Sequence, residues 1–451
     1  MKKTLLSVIL LIILALPALS QGQPAFDSYF IDATMRVDYY HVGDSATEFI
    51  AIDKIYKQGT WAGPTVELLD PFNNGRYYVK IYDSATKTEI YSRGFDNYFG
   101  EYKTTTPAAK GIKRAYHETA LIPYPKNKII FSMEVRQRDN SMKEFFSQEI
   151  DPASIAIDKG PLVAGVKVEK KFFSGDPHHK VDLAFIAEGY SAEEEALFQQ
   201  DLERTLEAFF KQEPYKSHKR SFNLYSVFKA SQDSGVDEPR KGLFKNTAVE
   251  SSFNALGLER YLLTEGNKPL RDIAAHAPYD AVIIVVNSKR YGGGGIYNFY
   301  CVYTQDELWQ DYLFLHEFGH SFAGLGDEYY ASEVAYNDFY PKGIEPTEPN
   351  ITALLDPANL KWKHLLKPGT VVPTPWDKEK YDKLKRNSPE KQAHLEQKKF
   401  KNLVGAFEGA GYASKGLYRP MADCIMFTKG GKPYCQVCEA HIIKVIEHYT
   451  K

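Results

Sequence analysis

Two histidines four residues apart stand out in the segment HEFGHSFAGLGDEYY, which runs from His316 to Tyr330. On a helix, side chains four residues apart lie on adjacent turns of one side, so the imidazoles of His316 and His320 can bind one ion. Glu317 would lie beside them, where it can contact a water molecule at the metal. A pentapeptide of this kind also occurs by chance, so its surroundings must decide whether it binds a metal or belongs to a helix core.

The residue types fit hydrolysis at a zinc ion. Zinc binds neutral imidazole nitrogen, and a catalytic site keeps one position open for a water molecule, whose pKa falls to about 7. Glu317 would take the proton of that water during attack on a carbonyl and pass it to the leaving amine. We therefore expect one catalytic Zn²⁺ and a hydrolase.

A third ligand is predicted just after the helix. Gly324 can end the helix in a left-handed conformation, and residues 325–326 can turn the chain so that Asp327 returns beneath the two histidines. A carboxylate suits zinc. The alternatives are the adjacent Glu328 and the distant His364 and His394.

The elements around the segment are also predicted. A capping box from Thr304 to Glu307 indicates the start of the helix. Apolar residues then recur at helical spacing on one face, and these are Leu308, Tyr312, Leu315 and Phe322. Four glycines, 292–295, precede the alternating segment 296–303, which predicts an edge strand to which an extended peptide can pair. Far downstream, Met426 could form an apolar floor beneath the metal.

Further upstream, the pattern predicts two different layers. Apolar runs at 181–187, 221–230 and 281–287, with a capping box at Ser191–Glu194 that opens a long helix, indicate an α/β layer. Residues 27–40, 76–92 and 128–150 are rich in aromatic and β-branched side chains, and the last of these predicts a hairpin that turns near Asp139 and Asn140. This region is typical of an all-β sandwich, with Tyr77, Val79 and Ile81 on its inner face.

The N-terminus has the pattern of a secretory signal peptide. Lys2 and Lys3 precede an apolar run from Leu5 to about Leu16, and small residues follow at 18–20. We expect an extracytoplasmic protein, periplasmic or secreted, without a membrane span. The predicted organisation is a signal peptide at 1–20, a β-sandwich domain at 21–155, a linker at 156–179 and a catalytic domain at 180–451.

The balance of charged residues limits the classes of binding partner that we expect. The 56 basic and 58 acidic residues give a net charge of -2, which offers no reason to expect nucleic acid or an anionic membrane as a partner. The four cysteines, in an oxidising compartment, are expected to form disulfides. Alternatively, Cys435 and Cys438 form half of a structural zinc site with His441 and Cys424.

Several strings resemble a known family. HEFGHSFAGLGDEY, with EGYS at 188–191, YRP at 418–420 and the closing CIM and YCQVC, is similar to the IgA-peptidase family of secreted bacterial zinc endopeptidases. The HExxH motif with a downstream Met also resembles metzincins, although their third histidine corresponds here to Gly326, one residue before Asp327.

The resemblance implies an N-terminal all-β sandwich followed by an α/β zincin-like, metzincin-like metallopeptidase domain. It makes His316, His320 and Asp327 the zinc ligands and Glu317 the general base. Tyr329 and Arg419 are candidates for contacts to the substrate or transition state.

The function that we expect is secreted, zinc-dependent endopeptidase activity of a monomer on extended protein or glycoprotein substrates, host proteins among them. The alternative is a secreted glycan- or protein-binding protein with an inactive zincin domain. Loss of Glu317 would favour that alternative, and Glu317 is present.

Overall fold

The computed structural model describes residues 22–305, 308–330 and 340–451. The predicted signal peptide lies outside the described residues, as do Asp306 and Glu307 of the second capping box. In these three ranges, no helix has both the length and the apolar character needed to cross a bilayer.

The N-terminal region is built almost entirely from antiparallel strands. Its elements are α1 (Phe26–Tyr29), β1 (Phe30–Gly43), β2 (Glu48–Gln58), β3 (Tyr77–Asp83), β4 (Glu89–Phe95), α2 (Tyr98–Lys103), α3 (Thr106–Ala109), β5 (Arg114–Pro125), β6 (Ile129–Arg136) and β7 (Met142–Ile150). The strands form one sheet in the order β2-β1-β5 and another in the order β4-β3-β6-β7. The two sheets share one apolar core, as in a sandwich.

Local patterns predicted part of this region. The hairpin of β6 and β7 turns between residues 137 and 141, and Tyr77, Val79 and Ile81 are buried in the core, so both predictions are confirmed. Residues 76–92 form two strands of a hairpin, and the strands β2 and β5 were not predicted.

The C-terminal region contains a six-stranded mixed sheet with helices. Its elements are β8 (Val166–Phe172), β9 (Val181–Glu188), α4 (Glu195–Lys211), β10 (Phe222–Lys229), β11 (Ser251–Ser252), β12 (Leu263–Thr264), α5 (Asn267–Ala274), β13 (Ala281–Val286), β14 (Gly293–Ile296), β15 (Tyr300–Thr304), α6 (Gln310–Ala323), α7 (Lys378–Lys383), α8 (Pro389–Leu395), β16 (Phe407–Ala410), β17 (Ala413–Arg419) and α9 (Gln436–Thr450). The sheet order is β14-β15-β13-β9-β10-β8. The four inner strands are parallel, and both edge strands are antiparallel to their neighbours.

Alternation along the central strands separates two cores. Leu183 and Phe185 of β9 face the core that contains α4, α6 and α9. Ala184 and Ile186 face the opposite core, which contains α5 and continues into the sandwich. Because β9 is completely buried on both faces, it reads as a continuous apolar run, as predicted.

Polar contacts attach the sandwich to the sheet and its helices. The Arg36 guanidinium contacts Asp272 of α5 at 2.7 Å. Arg93 donates to Asn298 at 2.9 Å and to the Tyr449 hydroxyl at 2.8 Å. These charged side chains are largely buried, so the contacts fix the position of one region on the other.

Two predicted boundaries differ from the structure. The predicted linker 156–179 contains β8, which is an edge strand of the larger sheet, so part of that segment belongs to the C-terminal region. The predicted strand 296–303 is interrupted at 297–299, and the glycines form the edge strand β14 instead. Glycine is rare in strands, but here the neighbouring helix leaves no room for a side chain.

The start of the metal-site helix was also predicted wrongly. Thr304 ends strand β15, and α6 begins at Gln310. Leu308 is 85% exposed and precedes the helix, whereas Tyr312, Leu315 and Phe322 are buried as predicted. The capping box at Ser191 and Glu194 is confirmed, since the Ser191 N–H donates to the Glu194 carboxylate at 2.8 Å.

Strand β14 provides a test of how closely the sheet approaches α6. A Cβ at Gly295 would lie 2.1 Å from the Glu317 carbonyl oxygen and 2.9 Å from the His320 Cβ. Gly295→Ala must therefore separate the strand from the helix, and we expect a loss of about 2 kcal/mol or more in stability. Thermal unfolding measures the change. Gly431→Ala is the control, because nothing lies within 4 Å of a Cβ there; equal midpoints for the two variants would contradict this close packing.

Candidate metal centre

His316, His320 and Asp327 meet at one point. The His316 Nε2 and His320 Nε2 atoms are 3.2 Å apart, and each lies 3.2 Å from the Asp327 Oδ1 atom. Three potential ligand atoms therefore form a nearly equilateral triangle. The structure brings together the three residues that were predicted as metal ligands.

Backbone carbonyl groups orient both imidazoles. The His316 Nδ1 lies 3.1 Å from the Ile425 carbonyl oxygen, and the His320 Nδ1 lies 2.6 Å from that of Leu325. A carbonyl oxygen only accepts, so each Nδ1 carries the hydrogen and donates it. In the neutral imidazole, each Nε2 then directs a lone pair into the triangle, as in metal-binding histidines.

The triangle favours a cation. Burial lowers the pKa of His320, but the Asp327 charge outweighs this effect and raises the pKa to about 9. Burial likewise raises the pKa of Asp327, yet the adjacent histidines shift it well below its ordinary range. The buried Asp327 Oδ1 atom faces the two imidazole Nε2 atoms. A metal ion would take the place of the proton that these groups otherwise share.

The turn after α6 delivers Asp327. Gly324 has a φ of 58°, the left-handed conformation that was predicted to end the helix. Its N–H donates to the His320 carbonyl at 2.9 Å, and the Leu325 N–H donates to that of Gly319 at 3.2 Å. Asn74 of the sandwich donates to the Gly324 carbonyl at 3.1 Å. The N-terminal region thus stabilises the turn.

A hairpin tip that the sequence did not indicate completes the site. β16 and β17 are joined by the two residues Gly411 and Tyr412, both with positive φ, as in a type I′ turn. The Gly411 N–H donates to the Asp327 carbonyl at 2.9 Å, and the Tyr412 hydroxyl donates to the Asp327 Oδ2. Tyr412 therefore orients the carboxylate so that Oδ1 faces the histidines.

Glu317 and Met426 lie on different sides of the metal centre. Glu317 is half-buried and lines the adjoining cleft, and burial raises the pKa of its carboxyl. A hydrogen bond from the Gly295 backbone lowers the pKa of this carboxyl. Met426 is completely buried. Its Sδ atom lies 3.2 Å from the place that a Cβ on Gly319 would take, and Gly319 lies between the two histidines in the sequence of α6. Met426 thus packs beneath the helix.

The cleft over the centre has a volume of about 2590 Å³. Both regions line it, with Arg76, Arg136 and Lys143 from the sandwich and Tyr329 beside the metal centre. The Tyr329 ring stacks 6.5 Å from that of His316, and burial together with the Asp327 charge raises the pKa of its hydroxyl well above 10. The hydroxyl stays protonated and can donate a hydrogen bond.

Other candidates from the sequence lie elsewhere. Arg419 is completely buried, donates to the Gly409 and Ala422 carbonyls and lies outside the cleft lining. His364 and His394 are absent from the metal-ligating groups of the described residues. The adjacent Glu328 points away from the histidines, into a second group.

The cysteines differ from the expectation of disulfides. All four are free and buried. His441 does not join Cys435 and Cys438; its ring lies against Phe72 at 5.6 Å. Of the adjacent pair, Asp327 lies with the two histidines, and Glu328 lies with Cys424, Cys435 and Cys438.

Family comparisons cover most of the chain. Residues 170–446 match the family described as IgA Peptidase M64, and residues 25–147 match the family described as Peptidase M64 N-terminus. The search of curated proteins gave no match.

Proposed function

The chain belongs to the IgA peptidase M64 family and is therefore a metallopeptidase, and on this premise we propose that it is a zinc-dependent endopeptidase for extended polypeptides. The observation that carries the proposal is the triangle of His316, His320 and Asp327 ligand atoms in the lining of a large cleft. In this proposal they are the metal ligands and Glu317 is the general base.

The donor set fits zinc. Bonds of about 2.0 Å to nitrogen and oxygen place tetrahedral ligand atoms about 3.3 Å apart. The three separations in the triangle are 3.2 Å. Two imidazoles and one carboxylate leave a fourth position for water or substrate, as in catalytic zinc sites. A bound zinc ion would supply Lewis-acid activation of the water and the carbonyl.

In this proposal, the side chains of the protein transfer the proton, stabilise the negative oxygen and support the helix. The Glu317 carboxylate accepts a proton from the attacking water and donates it to the nitrogen of the leaving amine. Its raised pKa brings it closer to the working pH of such an acid–base group. The Tyr329 hydroxyl, which keeps its proton, can donate to the oxygen that becomes negative. Met426 supports the helix from below.

The cleft favours a polypeptide as substrate. Its volume of about 2590 Å³ exceeds the roughly 300–1,000 Å³ of a pocket for a small molecule. Gly293 and Gly295 of the edge strand line it, so the main chain of an extended segment can approach β14 beside the metal centre. A backbone bridge joins Tyr261 to the outer edge of the strand at Gly293, so a substrate segment would pair with the other positions of β14. We therefore propose protein or glycoprotein substrates, cleaved outside the cytoplasm.

The role of Glu317 predicts a separation of metal binding from catalysis. Glu317→Gln should retain zinc, because the residue is not a ligand, and should lower kcat by roughly 10²–10⁴-fold, because the amide cannot accept the proton. Elemental analysis and cleavage of a diverse peptide library measure the two effects on the same sample.

The control is His316→Ala, which should lose the ion of the histidine site and the cleavage. If Glu317→Gln lost zinc, or if it cleaved the library at the rate of wild type, the assignment of Glu317 as the general base would be wrong.

The Tyr412 hydroxyl predicts a smaller effect on affinity. Tyr412→Phe removes the hydrogen bond to Asp327 and should weaken zinc binding by about 10–100-fold, the usual cost of losing such a supporting contact. Competition with a chelator measures the affinity. Tyr418→Phe, on the same hairpin but outside the cleft lining, should bind zinc like wild type. Equal affinity of both variants would show that Tyr412 does not orient the carboxylate.

A further inference from the structure

A second group of metal-ligating side chains lies behind the first. The Glu328 carboxylate and the thiols of Cys424, Cys435 and Cys438 have ligand atoms within 4.8 Å of one another. We propose that these four residues bind a second zinc ion, with a structural role, independent of the catalytic site. The ion would tie the segment that supplies Asp327 to the C-terminal helix α9.

The separations match a tetrahedron around zinc. The Cys438 Sγ lies 3.9 Å from that of Cys424 and 3.5 Å from that of Cys435. Zinc–sulfur bonds of about 2.3 Å give a sulfur–sulfur edge of about 3.8 Å. The Glu328 Oε1 lies 3.4 Å from the Cys438 Sγ and 3.8 Å from the Cys435 Sγ, against an expected edge of about 3.5 Å.

The backbone favours thiolates at this position. The N–H groups of Met426 and Cys435 donate to the Cys424 Sγ at 3.5 and 3.2 Å. Cys435 is the N-cap of α9, and Cys438 lies in its first turn. Peptide N–H groups and the positive end of a helix both stabilise negative sulfur.

Because these ligand groups are buried, a metal ion is a favourable partner for their negative charge. Glu328 and Cys438 are 0% exposed, and the Glu328 Oε2 has no hydrogen-bond partner in the described part of the chain. Asn350 donates to the Oε1 at 3.1 Å, and the positive charge of Arg419 acts on the carboxylate from nearby. Buried carboxylates are ordinarily paired or bound to metals. Arg419 would offset the excess negative charge of the ligands.

All four ligands are closed off from solvent, which fits a structural ion and leaves no position for substrate. Three thiolates and one carboxylate in a tetrahedral arrangement favour zinc among the common divalent ions, because soft sulfur ligands disfavour magnesium and calcium. The three sulfurs are separate thiols, too far apart for a covalent bond of about 2.05 Å.

The second group shares its backbone with the catalytic site. Glu328 directly follows Asp327, and its N–H donates to the Met426 carbonyl at 2.8 Å. The neighbouring Ile425 carbonyl accepts from the His316 Nδ1. An ion held by Glu328 and Cys424 would therefore fix both segments that orient the catalytic ligands.

The test counts ions in the purified full-length protein. Elemental analysis of wild type should give two zinc ions per chain, and His316→Ala should retain one. Cys438→Ser should also retain one, with a lower midpoint of thermal unfolding. Glu328→Gln should weaken retention of the same ion. Cys301→Ser is the matched control, because Cys301 is a buried free cysteine outside the group, and it should keep both ions.

Spectroscopy covers the case in which Cys438→Ser fails to fold. Wild type and His316→Ala reconstituted with Co²⁺ should both show the thiolate-to-cobalt charge-transfer absorption, since among the metal-ligating groups of the described residues the second group is the one with sulfur ligands. The proposal would be overturned if wild type held a single ion and His316→Ala held none. It would also be overturned if the protein reconstituted with Co²⁺ lacked that absorption. A disulfide between Cys435 and Cys438, found by mass spectrometry of the unreduced protein, would likewise overturn it. If cleavage is absent but the thiolate-bound ion is present, only the proposed peptidase function fails.

Discussion

The turn at Gly324 is the constraint on which the metal centre depends. Helix α6 can present His316 and His320 to one ion because four residues make about one turn, but a helix cannot supply a third ligand from its own continuation. The left-handed residue reverses the chain within three positions and brings Asp327 to 3.2 Å from both Nε2 atoms. A side chain at position 324 would also collide with Asn74, so glycine is required for conformation and for space.

Several distant elements hold this arrangement. The glycine strand β14 lies directly on α6, Asn74 of the sandwich binds the end of the helix, and the Tyr412 hairpin tip binds the Asp327 segment. These contacts come from different parts of the chain, and each reaches the helix or the turn through the backbone. The β sandwich is therefore part of the site and lines its cleft, which gives a physical reason for its place beside the sheet.

Sequence reasoning succeeded where a local rule decides the structure. The spacing of His316 and His320, the left-handed turn at Gly324 and the capping box at Ser191 depend on neighbours along the chain, and the structure contains all three. The strand at 293–296 was missed because glycine has low β propensity, and only packing against α6 explains its presence there. Tyr412 was missed because it lies 85 residues from Asp327, and one tyrosine among 31 carries no signal of its own. Glu328 was considered for the histidine site because sequence cannot show to which side of an extended segment each carboxylate of the pair turns.

The most direct measurement is an anomalous scattering experiment at the zinc absorption edge on crystals of the purified protein. The account predicts a strong peak about 2.0–2.1 Å from the Nε2 atoms of His316 and His320 and about 2.0–2.2 Å from the Asp327 carboxylate. If crystals grown with zinc showed no peak between these three side chains, or showed the ion held there without Asp327, the proposed metal centre would be contradicted.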